Sequence, residues 1–153
     1  PPPEGMTAAG RLAMHTLDHW LARYGESHRH PVNETVHWIC VPVITFCVLA
    51  LLWAVSPWAA AALVVAATAW YLLLSVPLAL GMLALSLVML AIVAVMPARV
   101  PIALTLFVAA WIGQIRGHQI EGRKPSFLED LQFLLVGPLW LLAALYRRWD
   151  WRA

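Results

Sequence analysis

Four long apolar segments alternate with short polar turns along this chain. They cover residues 36–55, 58–76, 78–96 and 101–121, and Leu, Ala, Val and Ile dominate each of them. An α-helix needs about 20 predominantly apolar residues to cross the hydrocarbon core of a bilayer. The pattern therefore predicts four transmembrane helices.

Proline, glycine and capping residues separate these segments. We expect Pro31 to break any preceding helix and Asn33 to cap the first transmembrane helix, with Glu34 near its positive end. The other expected boundaries are Ser56–Pro57, Pro77, residues 97–99 and Gly122.

Shorter helices are expected on either side of the apolar segments. Residues 7–25 are amphipathic, with an apolar stripe at helical spacing formed by Leu17, Trp20, Leu21 and Tyr24. We expect this helix to lie in the headgroup plane, with Trp20 and Tyr24 at the interface.

A further helix is expected to begin at Ser126–Glu129, which has the form of a capping box. Its apolar part, residues 133–146, is short for a crossing and contains Gly137–Pro138. It fits a fifth span, a re-entrant element or an interfacial helix.

Composition supports an all-α integral membrane protein. The chain is 62% hydrophobic and 12% charged, with a mean hydropathy of +0.76, whereas soluble domains are about 45–50% apolar and about 25% charged. The net charge of +2 comes from residues scattered near segment ends, which argues against a nucleic-acid partner. We expect one helical membrane domain over residues 7–150, and we interpret residues 1–6 as a cloning remnant without fixed structure, since Met6 fits a native initiator.

Basic residues predict the orientation. Four crossings place the N-terminal region and the loop after residue 121 on one side, with six basic residues: Arg11, Arg23, Arg29, Arg116, Arg123 and Lys124. The opposite side holds Arg99, provided that the last helix does not cross. The positive-inside rule makes the more basic side cytoplasmic, and the short loops suggest a bacterial inner membrane.

Three of the six histidines lie where an even number of crossings brings them to one side. His37 falls in the first turn of the first segment, His118 in the last turn of the fourth, and His28 in the loop before the first. Neutral imidazoles suit iron, zinc or copper. We therefore predict a metal site at the membrane interface, the alternative being interfacial histidines that bond to neighbouring helices.

Several polar residues are candidates for roles around these histidines. Glu121 shares a helical face with His118 and is a candidate ligand, proton acceptor or acceptor that orients an imidazole, unless it is a solvated partner of nearby cations. Asn33 and Gln114 are candidates for contacts around the site. Arg116 and Lys124 are candidates for binding an anionic group, either of a substrate or of a phospholipid.

The remaining histidines fit a surface role better. His15 and His19 share a helical face with Arg11 and Arg23, which looks like a solvated stripe. The ring of His30 is expected to point away from that of His28 in an extended loop.

Two blocks of sequence resemble the Mpo-like family of small membrane proteins. The first is His28-x-x-Pro31-x-Asn33-x-x-x-His37, and the second is Gln114-x-x-Gly117-His118-x-x-Glu121. The resemblance extends from about residue 17 to residue 146, although the middle segments match only as apolar sequence. His30 departs from the pattern, because related sequences often carry asparagine there.

The resemblance implies an iron(II)-dependent dioxygenase that acts on 2-hydroxy fatty acids. His28, His37 and His118 take the family's histidine positions, Asn33 its asparagine position and Glu121 its second carboxylate position. The expected reaction is α-oxidation with O₂ as co-substrate, giving the fatty acid one carbon shorter. Two other functions fit the residues alone: a non-redox zinc protein, and a structural or lipid-binding membrane protein. The sequence does not indicate an oligomeric state.

Overall fold

The computed structural model describes residues 8–124 and 132–150, with side chains from residue 16 onward, and this part of the chain is entirely helical. Its six helices are α1 Ala8–Gly25, α2 Pro31–Val55, α3 Pro57–Leu72, α4 Val76–Val95, α5 Arg99–Glu121 and α6 Phe133–Arg148. The all-helical prediction is confirmed for the described ranges. The predictions for residues 1–6 and for the capping box at Ser126–Glu129 lie outside them.

Three of these helices are long and apolar enough to cross a membrane. They are α2, α4 and α5, with 25, 20 and 23 residues, whereas the apolar α3 has only 16. The prediction of a membrane protein is therefore supported, but the count of four spans is not confirmed. Helix α3 ends at Leu72 because Ser75 already caps α4, its hydroxyl accepting the N–H of Leu78 at 3.4 Å.

Helix α2 begins three residues earlier than the predicted cap at Asn33 implies. Pro31 is its first residue, and the ring of His30 caps it by accepting the N–H of Val32 at 3.2 Å. The prediction that Asn33 is the cap is wrong. Proline fits the first position of a helix because its fixed φ suits the helix and its missing N–H would have no partner there.

Helices α2 and α5 pack antiparallel, and this is the most extensive helix contact of the described residues. Two glycines of α5 allow the two helices to approach each other closely. A Cβ at Gly113 would lie 2.9 Å from the sulfur of Cys40, and one at Gly117 would overlap the side-chain oxygen of Asn33. The start of α2 and the end of α5 therefore meet at one end of the bundle.

Helix α1 packs against α6 instead of lying free in the headgroups. Its predicted apolar stripe is confirmed, because Leu17, Leu21 and Tyr24 are buried. The rings of Trp20 and Tyr24 lie against Phe133 of α6, with centroid separations of 5.4 and 6.1 Å. The expectation that these two rings lie in the headgroup layer stays a prediction.

Helix α6 continues through Gly137–Pro138, where an interruption was expected. Its first residue, Phe133, contacts Tyr24 near the end of α1, and the hydroxyl of Tyr146 donates to the carbonyl of Pro77 at 3.2 Å. Pro77 lies at the start of α4, the same end of the bundle as the start of α2. Both ends of α6 thus meet one end of the bundle, and α6 is not among the candidate spans.

Candidate metal centre

The three histidines singled out in the sequence lie together in the structure. His28 comes from the linker between α1 and α2, His37 from the second turn of α2, and His118 from the last turn of α5. Their ring centroids are separated by 4.1 Å (His28–His37), 4.8 Å (His37–His118) and 5.1 Å (His28–His118). All three side chains are at most 4% exposed.

Backbone carbonyls fix two of the three rings. Nδ1 of His28 lies 2.6 Å from the carbonyl oxygen of Tyr24, and Nδ1 of His37 lies 2.9 Å from that of Asn33. Because a carbonyl only accepts, its presence assigns the proton of each ring to Nδ1. The Nε2 atoms of His28 and His37 therefore present lone pairs.

Three ring nitrogens at this site have no hydrogen-bond partner although they are buried. They are Nε2 of His28, Nε2 of His37 and Nδ1 of His118. One nitrogen from each ring lies within 4.8 Å of the other two, the spacing of a group that could hold a metal ion. Buried polar atoms are rarely left unpaired, and three converging neutral nitrogens form a donor set suited to iron, zinc or copper.

The surroundings of His28 favour the neutral form of its ring, which is the form that can bind a metal ion. Burial and the neighbouring His37 ring lower the pKa of His28 to about 3, because both disfavour the charged imidazolium. His28 is consequently neutral at physiological pH.

Glu121 lies beside the three histidines but is engaged elsewhere. Its carboxylate accepts the backbone N–H groups of Arg29 at 3.1 Å and His30 at 2.7 Å, and the side-chain amide of Asn33 at 3.3 Å. An anion at the start of α2 also interacts favourably with the helix dipole. Glu121 thus ties the His28 linker and the start of α2 to the end of α5.

Asn33 is fully buried between these elements. Its side-chain amide donates to the carbonyl of Ser27 at 3.0 Å as well as to Glu121, while its backbone carbonyl accepts from His37. One residue therefore connects the linker, α2 and α5 around the histidines.

The other three predicted residues have different positions. Gln114 is buried, lies beside the His37 ring and lines a cavity at the site. Lys124 is exposed and lines a cleft on the outer side of His118. Arg116 is exposed, and since it precedes His118 by two residues it lies about 200° away around α5. The structure brings Gln114 and Lys124 to the site but not Arg116.

Sequence reasoning missed two residues that shape the site. The ring of Tyr24 stacks on that of His28, with centroids 4.2 Å apart and an interplanar angle of 14°. Gly117 admits the side chain of Asn33 between α2 and α5. Tyr24 could have been found, because it precedes His28 by the same four residues that separate Asn33 from His37.

A cavity of about 50 Å³ adjoins His28 and His118 on the side that faces the middle of the bundle. It is lined by His28, His118 and Gln114 together with apolar and aromatic side chains, among them Tyr24, Trp111 and Phe133. The space beside His28 and His118 is therefore small and largely apolar.

Comparison with known proteins gives one match. The model of the family described as 2-hydroxy-palmitic acid dioxygenase Mpo1-like matches residues 14–76 and 78–149, which includes every residue of the site. No curated protein and no solved structure matches the chain. Because the family model covers nearly the whole chain, this protein belongs to the Mpo1-like family of 2-hydroxy-palmitic acid dioxygenases.

Proposed function

We propose that this protein is a dioxygenase of the membrane that converts 2-hydroxy fatty acids to fatty acids one carbon shorter, using O₂ and ferrous iron. The observation that carries the proposal is the convergence of three buried, unpaired ring nitrogens from His28, His37 and His118. The family description supports the class of reaction and substrate.

The reaction balances without a further reductant. One 2-hydroxy acid and one O₂ give the shorter acid, CO₂ and water, and the four electrons that leave the substrate are the four that O₂ accepts. The chemistry that iron supplies when bound at this site is open coordination for the reactants and electron transfer between them.

The protein's own residues hold, orient and shield the site in this proposal. His28, His37 and His118 provide the nitrogen ligands, and the carbonyls of Tyr24 and Asn33 keep the first two rings in the required tautomer. Because its carboxylate already accepts three N–H groups, we assign Glu121 to positioning and not to proton transfer.

Lys124 is our candidate for neutralising the substrate carboxylate. It lines the cleft beside His118 with Arg123, whereas Arg116 lies on another face of α5. Gln114, buried beside His37, is our candidate for a hydrogen bond to the bound hydroxy acid.

We also propose that α3 is the fourth membrane crossing. Three buried residues from the far ends of α2 and α4 and the start of α5 form one cluster: Cys47, Val93 and Ala103. The start of α4 is therefore at the histidine end, and α3 must return the chain there from the end of α2. Its 16 residues span about 24 Å, which approaches the roughly 30 Å hydrocarbon thickness.

The location of α6 supports an interfacial or re-entrant helix on the histidine side. Its basic end at Arg147 and Arg148 then adds to the positive charge of that side, while Arg99 stays on the other. By the positive-inside rule we propose that the metal site faces the cytoplasm. The bacterial inner membrane stays a prediction from the sequence.

The test is oxidation of a long-chain 2-hydroxy acid by the purified protein loaded with iron(II). We expect uptake of one O₂ for each acid consumed and a product one carbon shorter, identified by mass spectrometry, with no activity in a His37→Ala variant. A matched control is His19→Ala, since His19 is exposed on α1. Tight zinc binding without O₂ uptake would overturn the proposal in favour of a non-redox metal site.

A further inference from the structure

A large apolar chamber lies next to the histidine cavity, inside the bundle. Its volume is about 430 Å³, and side chains from five helices, α2 to α6, line it. The lining is almost wholly hydrocarbon and aromatic, with Thr45, Tyr71 and Ser86 as the residues that carry a hydroxyl. A chamber of this kind suits an alkyl chain, because such a ligand has no polar group to satisfy.

The chamber and the histidine cavity adjoin each other. Five residues line both: Ile44, Thr45, Trp111, Leu134 and Pro138. For a molecule with its polar end at the histidines, the chamber is therefore the adjoining apolar space for its tail.

The depth of the chamber can be measured along the helices. Leu49 lines its far end and follows His37 by twelve residues of α2, which is about 18 Å of helix. On α5, Phe107 precedes His118 by eleven residues, or about 16 Å. Half of a bilayer's hydrocarbon core is about 15 Å thick, so the chamber is about as deep as one lipid leaflet.

Packed side chains line the chamber at the end away from the histidines. Leu49 and Val64 line it and form a buried cluster with Met89 of α4. Leu49 is 3% exposed and Val64 7% exposed, so both side chains are tightly packed and a larger side chain at either position would reduce the chamber. We call Leu49 and Val64 the floor of the chamber.

We infer that the chamber binds the alkyl tail of the hydroxy acid and that its floor sets the longest chain the protein accepts. This inference rests on the proposed function for the position of the polar head, and it adds which residues select the substrate. Long, straight chains of the length found in membrane lipids fill the chamber, whereas short chains leave part of it empty.

Substitutions at Val64 test the floor in both directions. Val64→Phe raises the floor, so we expect the preferred chain to become shorter by two to four carbons and the affinity for the longest accepted chain to fall by about tenfold, the effect of overpacking a filled site. Val64→Ala lowers the floor and should extend the preference to longer chains. Val65→Phe is the matched control, because Val65 is the next residue on α3 and is 68% exposed.

Binding should be measured separately from turnover. The affinity of metal-free protein for unhydroxylated saturated acids of increasing length can be measured under argon, so that neither iron nor O₂ enters the result. Opposite shifts in the two Val64 variants, with Val65→Phe like the wild type, are the expected result. Chain-length preferences that are the same in all four proteins would overturn the inference, even if hydroxy acids are oxidised. If the preferred chain length shifts as expected but no hydroxy acid is oxidised, the chamber still binds the alkyl tail and the proposed reaction is refuted.

Discussion

At the scale of single residues, the site depends on hydrogen bonds that hold the rings of His28 and His37 and leave one nitrogen of each free. The sequence predicted the three histidines through their places at the ends of apolar segments. It could not give the ring orientations, because these depend on two carbonyls, those of Tyr24 and Asn33, whose positions follow from the fold. Arg116 shows that closeness in sequence does not predict closeness to the site, because it is near His118 in sequence and yet lies on another face of the helix.

Glu121 provides a test of positioning at this scale. We expect Glu121→Gln to lower metal affinity by roughly 10–100-fold, the usual effect of removing a group that orients metal ligands, because an amide cannot accept all three N–H groups. Activity at saturating iron should recover at least in part, which a lost catalytic proton acceptor would not permit. Glu34→Gln is the control, since Glu34 is an exposed acidic residue in the first turn of α2. Equal metal affinity in Glu121→Gln and wild type would refute the positioning role.

The lowered pKa of His28 predicts a dependence of stability on pH. Its ordinary value is 6.5 and its value in the folded protein is about 3, so between these values the unfolded chain binds a proton that the folded protein does not. The free energy of unfolding of the metal-free protein should therefore decrease as the pH falls below 6.5. Thermal unfolding in detergent at a series of pH values measures this, and the decrease should be smaller in a His28→Phe variant. A melting temperature independent of pH in this range would contradict the burial of neutral His28.

At the scale of helices, the sequence predicted which segments form helices more accurately than it predicted where each helix begins and ends. The bounds of helices α2, α4 and α5 lie close to those of the predicted segments, because a segment of this length and hydropathy in a bilayer is expected to form a helix. The start of α2 was misplaced because Pro31 was interpreted as a helix breaker, although proline also favours a first helical turn. Pro138 was interpreted in the same way, yet α6 continues through it while packing against α1 and α4.

The contact of α2 with α5 predicts the effect of a single added methyl group. Gly117→Ala should separate the two helices and reduce both thermal stability and bound metal, because the new Cβ overlaps Asn33, whose side chain is held by Ser27 and Glu121. We expect the cost of this overlap to outweigh the gain in stability of up to about 1 kcal/mol that alanine gives over glycine inside a helix. Gly113→Ala is a matched control on the same face, since its new Cβ meets only the sulfur of Cys40, which can rotate. Equal stability of the two variants would refute the close approach at Gly117.

At the scale of the whole molecule, the antiparallel arrangement of α2 and α5 brings distant parts of the chain together. The sequence predicted this meeting from an even number of crossings. It could not predict that α6 lies across the histidine end, nor that five helices line an apolar chamber, because both follow from packing between segments with similar hydropathy.

Labelling of single cysteines can test the proposed topology. Three variants, Lys124→Cys, Arg148→Cys and Arg99→Cys, can be treated with a membrane-impermeant thiol reagent in sealed vesicles of known orientation. We expect the first two to react from the cytoplasmic side and Arg99→Cys from the opposite side. The two native cysteines, Cys40 and Cys47, lie within α2 and serve as the unsubstituted background. Reaction of Arg148→Cys from the same side as Arg99→Cys would mean that α6 crosses the membrane.

Metal analysis of protein purified without oxygen tests whether three histidines from separate elements hold one iron ion. We predict about one iron per chain in the wild type and in His19→Ala, and a loss of at least tenfold in His37→Ala, which should remain folded by circular dichroism. Equal iron in His37→Ala and wild type, or a wild-type protein that binds no iron(II) when it is supplied, would contradict the account.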